Sequence, residues 1–83
     1  MEFLYTRHQT PRGARPDAEK GDKLYIIKLV SQLRLTYQIR LLAFQAKTRR
    51  KQLIIQLPKG ARIDESLDEF VRDNSGLVKI ERT

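Results

Sequence analysis

The odd positions from Tyr25 to Ala43 read Tyr, Ile, Leu, Ser, Leu, Leu, Tyr, Ile, Leu, Ala. The even positions from Lys28 to Arg40 read Lys, Val, Gln, Arg, Thr, Gln, Arg. Apolar residues that recur at every second position describe a strand with one buried and one wet face. The alternation is strictest over LRLTYQIRL, Leu33 to Leu41. A helix competes for the same residues, with Asp22 as its N-cap and Ile26, Val30, Leu33, Tyr37, Leu41 and Phe44 as its stripe. That helix leaves Leu35 and Ile39 on its polar side, so the spacing favours the strand. A single strand of this length exceeds the usual range of about 3–10 residues, so a bend or break is expected near Ser31-Gln32.

The remaining segments are punctuated more clearly. AKTRRKQ (Ala46 to Gln52) supplies a polar, charged turn. QLIIQLP (Gln52 to Pro58) reads as a strand that Pro58 stops. PKGAR is a loop. IDESLDEFVRD (Ile63 to Asp73) reads as a helix with Asp64 as N-cap, acids in its first turns, and Ile63, Leu67, Phe70 and Val71 as its core stripe. NSG (Asn74 to Gly76) supplies a left-handed cap, and LVKIE (Leu77 to Glu81) a final strand. Strand, helix and strand in that order make a crossover unit. No internal repeat is visible in the residues.

Residues 1–22 read as an extended basic arm. TPRGARPDAEKGD (Thr10 to Asp22) contains two Pro, two Gly and no large apolar residue, so no packed element is expected there. Phe3, Leu4 and Tyr5 in MEFLY suit a short strand or a docked anchor. Residues 23–83 then form a single small domain, an α+β fold. The expected fold is a mainly antiparallel sheet of three or four strands with the 63–73 helix packed on one face.

Charge changes the picture most. From Lys23 to Leu57 there is no Asp, Glu, Gly, Pro or Asn, and all eight charges are positive. Residues 1–62 hold 14 Lys or Arg and 4 acids, whereas residues 63–83 hold 3 Lys or Arg and 6 acids. The excess of +7 over 83 residues points to an anionic partner. The absence of Cys removes disulfides and thiolate metal sites and fits a reducing compartment. The apolar stretch is interrupted by Lys28, Arg34 and Arg40, and the N-terminus lacks the apolar core of a signal peptide. A cytoplasmic protein without membrane insertion is expected.

Catalytic chemistry finds little support. Asp64, Glu65, Asp68 and Glu69 stand at helical spacing, but no second carboxylate cluster or histidine pair closes a metal shell. They read as a solvated face favoured by the helix N-terminus. His8 is the sole histidine and has no spaced nucleophile to serve. Gly60 lies between Lys59 and Arg62 before a helix, a place that suits either a phosphate or an ordinary tight turn, and the turn is the simpler reading. The expected protein is therefore not an enzyme and needs no cofactor or metal.

The basic residues are the candidate site. On the strand reading, Lys28, Gln32, Arg34, Thr36, Gln38 and Arg40 share a face. Lys47, Arg49, Arg50 and Lys51 form a basic hairpin tip, and Arg7, Arg12 and Arg15 lie on the arm. Such a face, tip and arm suit the backbone of a nucleic acid. The strand reading puts Tyr25 and Tyr37 on the apolar face, away from any base. A homodimer, with an acidic helix on a basic face, is a further expectation.

LIIQLPKGARIDESLDEFVRDNSGLVKIE (Leu53 to Glu81) resembles the small phycobilisome linker domain of the rod-capping type. There a strand ends in Pro and is followed by a short amphipathic helix, a glycine turn and a last strand. KLYIIKLVSQLR (Lys23 to Arg34) is similar to the first strand of that domain. The family's Gly-Gly turn is Ser75-Gly76 here. The resemblance implies a non-enzymatic assembly protein that binds acidic proteins inside a larger complex.

Overall fold

A computed structural model of the chain describes residues 15–83. In chain order the elements are β1 (Ala18–Lys20), β2 (Lys23–Ile27), β3 (Gln32–Leu33), α1 (Tyr37–Thr48), β4 (Gln52–Leu57), β5 (Arg62–Ile63), α2 (Glu65–Asp73) and β6 (Val78–Arg82). Four strands form one sheet in the order β1-β2-β4-β6, and β3 with β5 forms a separate two-stranded ladder.

The central strand is β4. It runs parallel to β2, with Lys23 opposite Gln52 and Ile26 opposite Ile55, and parallel to β6, with Leu53 opposite Val78 and Ile55 opposite Ile80. Parallel neighbours cannot be joined by a hairpin and need a crossover, usually a helix. The two crossovers are α1 and α2. One face of the sheet carries the buried side chains Leu24, Ile26, Leu53, Ile55, Leu57 and Val78, and the helices add Ile39, Leu42, Ala43, Ala46 and Leu67 to the same core. The other face carries Lys23, Tyr25, Ile27, Gln52, Ile54, Gln56, Lys79 and Glu81, because successive side chains alternate across a strand.

The 33–41 stretch differs from its expected strand. Thr36 caps a helix there, its Oγ1 accepting the Ile39 N–H at 3.2 Å. From that start Ile39, Leu42, Ala43 and Ala46 fall at i, i+3, i+4 and i+7 and face the sheet, which is the stripe of an amphipathic helix. The competing helix fails too, because it begins at Asp22, inside what is a β1–β2 turn. The apolar residues at 33, 35, 39 and 41 are inward for separate reasons: Leu33 lies in β3, Leu35 in the link, and Ile39 and Leu41 on α1.

α1 ends without a glycine. The Lys51 N–H reaches the Ala46 carbonyl at 2.7 Å and the Arg50 N–H reaches Lys47 at 3.2 Å, the paired bonds of a Schellman turn. Arg50 takes the left-handed position, φ 58°, that glycine usually fills.

The sheet is therefore mixed and parallel in its centre, where a mainly antiparallel one was expected, and two helices pack on it where one was expected. β4, α2 and β6 lie within a residue or two of their expected bounds, and Asp64 caps α2 as expected. Residues 18–20, expected in the arm, pair antiparallel with β2 across a turn at Gly21-Asp22, where Gly21 has φ 60°. Their exposed side chains need bury nothing, because an edge strand is held by backbone bonds on one side. The strand or anchor expected at Phe3, Leu4 and Tyr5 lies outside the described residues.

A repeat is present after all. β2, β3 and α1 are followed by β4, β5 and α2, and the strands of the two units pair parallel in matching order, β2 with β4 and β3 with β5. The β3–β5 ladder and Ser66 lock the helix starts together. Ser66 donates its N–H and hydroxyl to Asp64 Oδ2, at 3.1 and 2.9 Å, and its Oγ accepts the Leu35 N–H at 3.2 Å. These bonds hold the Asp64 carboxyl below the usual aspartate range.

Two substitutions test this architecture. Ile39→Asp places a carboxylate at a position with no exposure, a cost of several kcal/mol on the order of the whole stability of a small domain, so the protein unfolds or aggregates. Gln38→Asp, one residue earlier in the first turn of α1, leaves the thermal midpoint unchanged or raises it, since an acid there suits the helix dipole. Equal sensitivity at the two positions contradicts the helix. Arg50→Gly relieves the left-handed turn and raises stability by about 1 kcal/mol, a few degrees in the melting curve; a lower midpoint contradicts it.

Candidate functional site

The eight described residues among the ten basic ones marked in the sequence are carried by several different elements. Lys28 follows β2 in a loop, and its Nζ donates to Gln38 Oε1 at 2.5 Å. Arg34 is exposed in the link between β3 and α1, beside the Asp64 carboxylate whose charge it helps to hold. Arg40 and Lys47 project from α1, and Arg49, Arg50 and Lys51 occupy the turn after it. Arg15 is exposed before β1; Arg7 and Arg12 lie outside the described residues. The shared sheet face expected for Lys28, Gln32, Arg34, Thr36, Gln38 and Arg40 does not exist. These residues are spread over a loop, β3, a cap and a helix, so period-2 parity no longer relates them.

The turn after α1 is partly consumed by the chain itself. Glu19 of β1 receives both Arg49 guanidinium nitrogens, at 2.6 and 3.3 Å, and the Lys51 ammonium. The hydrogen bond from Lys51 and then that from Arg49 hold the Glu19 carboxyl below its usual value. A lowered folded pKa stabilises above the ordinary glutamate range, and that stabilisation drains away as pH falls through the folded value. The cluster ties the β1–β2 hairpin to the α1–β4 turn. Among the three cations of this turn, Arg50 has no ion pair within the described residues.

What the fold does bring together lies along α1. Tyr37, Arg40, Phe44 and Lys47 follow at i, i+3, i+7 and i+10, one stripe on the side away from the sheet. Tyr37 is 49% exposed and Phe44 56%. The stripe borders an open cleft of about 180 Å³ between the helices, lined by Arg40, Ala43, Phe44, Lys47, Phe70, Asn74 and Leu77. Its floor is apolar and aromatic and its α1 rim is cationic. Asn74 is held by its own amide, which donates to the Phe70 carbonyl at 2.8 Å.

Phe44, Phe70, Asn74 and Leu77 were marked from sequence only as structural positions, not as site residues. The spacing Arg40, Phe44, Lys47 carries the signal, but it becomes a surface only on a helix. Tyr25 and Tyr37 change sides relative to expectation. Tyr25 lies on the sheet face opposite the helices, since the inward positions of β2 are Leu24 and Ile26, and Tyr37 sits on the outer side of α1.

The other motifs are occupied locally. Asp68 pairs with Arg72 at 3.5 Å on α2. The PKGAR loop turns its Lys59 and Ala61 carbonyls toward the Arg82 guanidinium. His8 lies outside the described residues. Among the described residues no cluster of three or more His, Asp or Glu is placed to hold a metal ion, and no helix is long and apolar enough to cross a membrane. The chain matches no protein-family model, no curated protein and no solved structure.

Proposed function

We propose that this chain is a non-enzymatic module that binds a polyanion, and that the polyanion is single-stranded nucleic acid held mainly through its backbone. The observation that carries this reading is the outer stripe of α1, where Arg40 and Lys47 alternate with half-exposed Tyr37 and Phe44 beside an apolar cleft. A single strand offers phosphates to cations and unstacked bases to aromatic faces, a combination that needs little sequence preference. Arg34 precedes α1 and Arg50 follows it in the chain, and no acid interrupts the sequence from Lys23 to Leu57.

A second reading has its own support. Ile27, Leu29 and Val30 are exposed around Lys28, with Leu29 at 84%. An apolar loop beside a cation fits an acidic protein better than a nucleic acid. That is the partner class implied by the resemblance to phycobilisome linker domains.

Titration against random-sequence single-stranded DNA and RNA at several salt concentrations separates the two. The nucleic-acid reading expects micromolar binding and a log–log salt slope of about −0.7 per neutralised phosphate. Replacing Arg40, Lys47 and Arg50 by Gln flattens the slope by about two units. Phe44→Ala weakens binding by about 1–3 kcal/mol with little change in slope, because stacking releases no counterion. Glu19→Gln frees Arg49 and Lys51 and steepens the slope. No detectable binding near about 150 mM salt removes this reading and leaves the acidic protein.

A further inference from the structure

The two edges of the four-stranded sheet are built differently. At one edge, β1 is three residues long and follows Pro16, and Asp17 closes the strand end by taking the Ile27 N–H on its carboxylate at 2.7 Å. Short, charged, proline-flanked edges resist pairing with another chain. At the other edge, β6 has five residues and no second neighbour among the described residues.

The backbone of β6 can be assigned group by group. The Leu53 N–H donates to the Leu77 carbonyl, and the Thr83 N–H donates to the Leu57 carbonyl. In a parallel ladder this makes 77, 79, 81 and 83 the residues bonded to β4. Val78, Ile80 and Arg82 therefore turn their backbone groups outward. The Val78 N–H is already taken by the Asn74 carbonyl. The Val78 carbonyl, both backbone groups of Ile80 and the Arg82 N–H have no backbone partner among the described residues.

We infer that this edge is a homodimer interface, in which β6 pairs antiparallel with β6 of a second copy about a two-fold axis at Ile80. Three observations select that partner and that register. First, an outward residue must sit on the axis for a hydrogen-bonded pair, and Ile80 is the middle one of three. Second, this register sets Lys79 of each copy opposite Glu81 of the other on the open sheet face. Cross-strand pairs of opposite charge stabilise, whereas a register shifted to centre on Lys79 or Glu81 sets like charges face to face. Third, Leu67 faces the sheet, and Phe70 and Asn74 line the cleft with α1, so the helical step puts Asp68 and Arg72 on the flank of α2 that looks toward this edge. The two-fold runs the two flanks antiparallel, and Asp68 of each copy approaches Arg72 of the other. Lys79 would protect the edge on its own, but Glu81 two residues later makes the strand self-complementary.

The interface is small, so the dimer is weak, with a dissociation constant on the order of 10–100 µM. The charge of +7 per copy opposes it at low salt. The inference does not depend on what α1 binds.

Sedimentation equilibrium of the full chain, freed of nucleic acid by nuclease, tests it in about 0.15 M salt. The wild type is expected to dimerise with concentration. Lys79→Glu and Glu81→Lys, both at exposed positions, each set like charges across the axis and weaken the dimer by about tenfold or more while the melting curve holds. An equimolar mixture of the two variants recovers the dimer with one copy of each, because every cross-strand pair is again opposite in sign. A wild type that stays monomeric up to about 1 mM overturns the inference, including the case in which residues 1–14 cover the edge in the same chain. So does a dimer that neither substitution weakens, or a mixture that stays monomeric.

Discussion

The parallel pairing of β2 with β4 sets the terms for everything else in this fold. Two strands side by side in the same direction force the chain between Ile27 and Gln52 to travel back along their full length. A tight turn cannot do that, and a helix can. This explains how a stretch from Lys23 to Leu57 folds without Gly, Pro, Asn or Asp. It needs no hairpin residues because it contains no hairpin. Its direction is reversed by a threonine cap at one end of α1 and an arginine in the left-handed position at the other.

Most of the second β–β–α unit was legible, and most of the first was not. The difference lies in punctuation. Pro58 and Asp64 mark where β4 stops and α2 starts, each by a known backbone preference, and the Asn74-to-Gly76 run marks the turn before β6 without the left-handed residue expected there, since Asn74 has φ −125° and Gly76 has no positive φ. The first unit lacks such marks. Arg50 stands where glycine would announce a helix end, and Thr36 caps α1 without an acid behind it. Alternation then misleads, since Leu33, Leu35, Ile39 and Leu41 share odd numbers although they belong to a strand, a link and a helix. Parity in β2 misleads for another reason. Tyr25 and Ile27 look like core residues, yet Leu24 and Ile26 are the inward pair. The repeat was invisible because its two copies share topology and register but little residue identity.

Charge was read correctly as a total and wrongly as a surface. The excess of Lys and Arg is plain from the sequence, but which of them meet depends on the element that carries them. Lys28 lies against Gln38, Arg49 and Lys51 are gathered by Glu19, and Arg40 and Lys47 converge with Phe44 only because seven residues make two helical turns. Glu19 is the instructive residue. It is one of only four acids in the first 62 positions, and it sits where it ties down two of the densest positive charges in the chain.

The parallel connection also has a kinetic side. Each contact of β4 with its neighbours joins residues roughly 25–30 positions apart, so loop closure precedes any reward from the central sheet. Among the described strand pairs, only the β1–β2 hairpin closes locally, over Gly21-Asp22. Until a crossover helix docks, β4 is an apolar ribbon with both backbone edges bare, the kind of species that aggregates during folding. Gln52, Gln56 and Pro58 interrupt or terminate that ribbon. They keep a strand that is almost wholly buried in the native state from being a long sticky edge before it gets there.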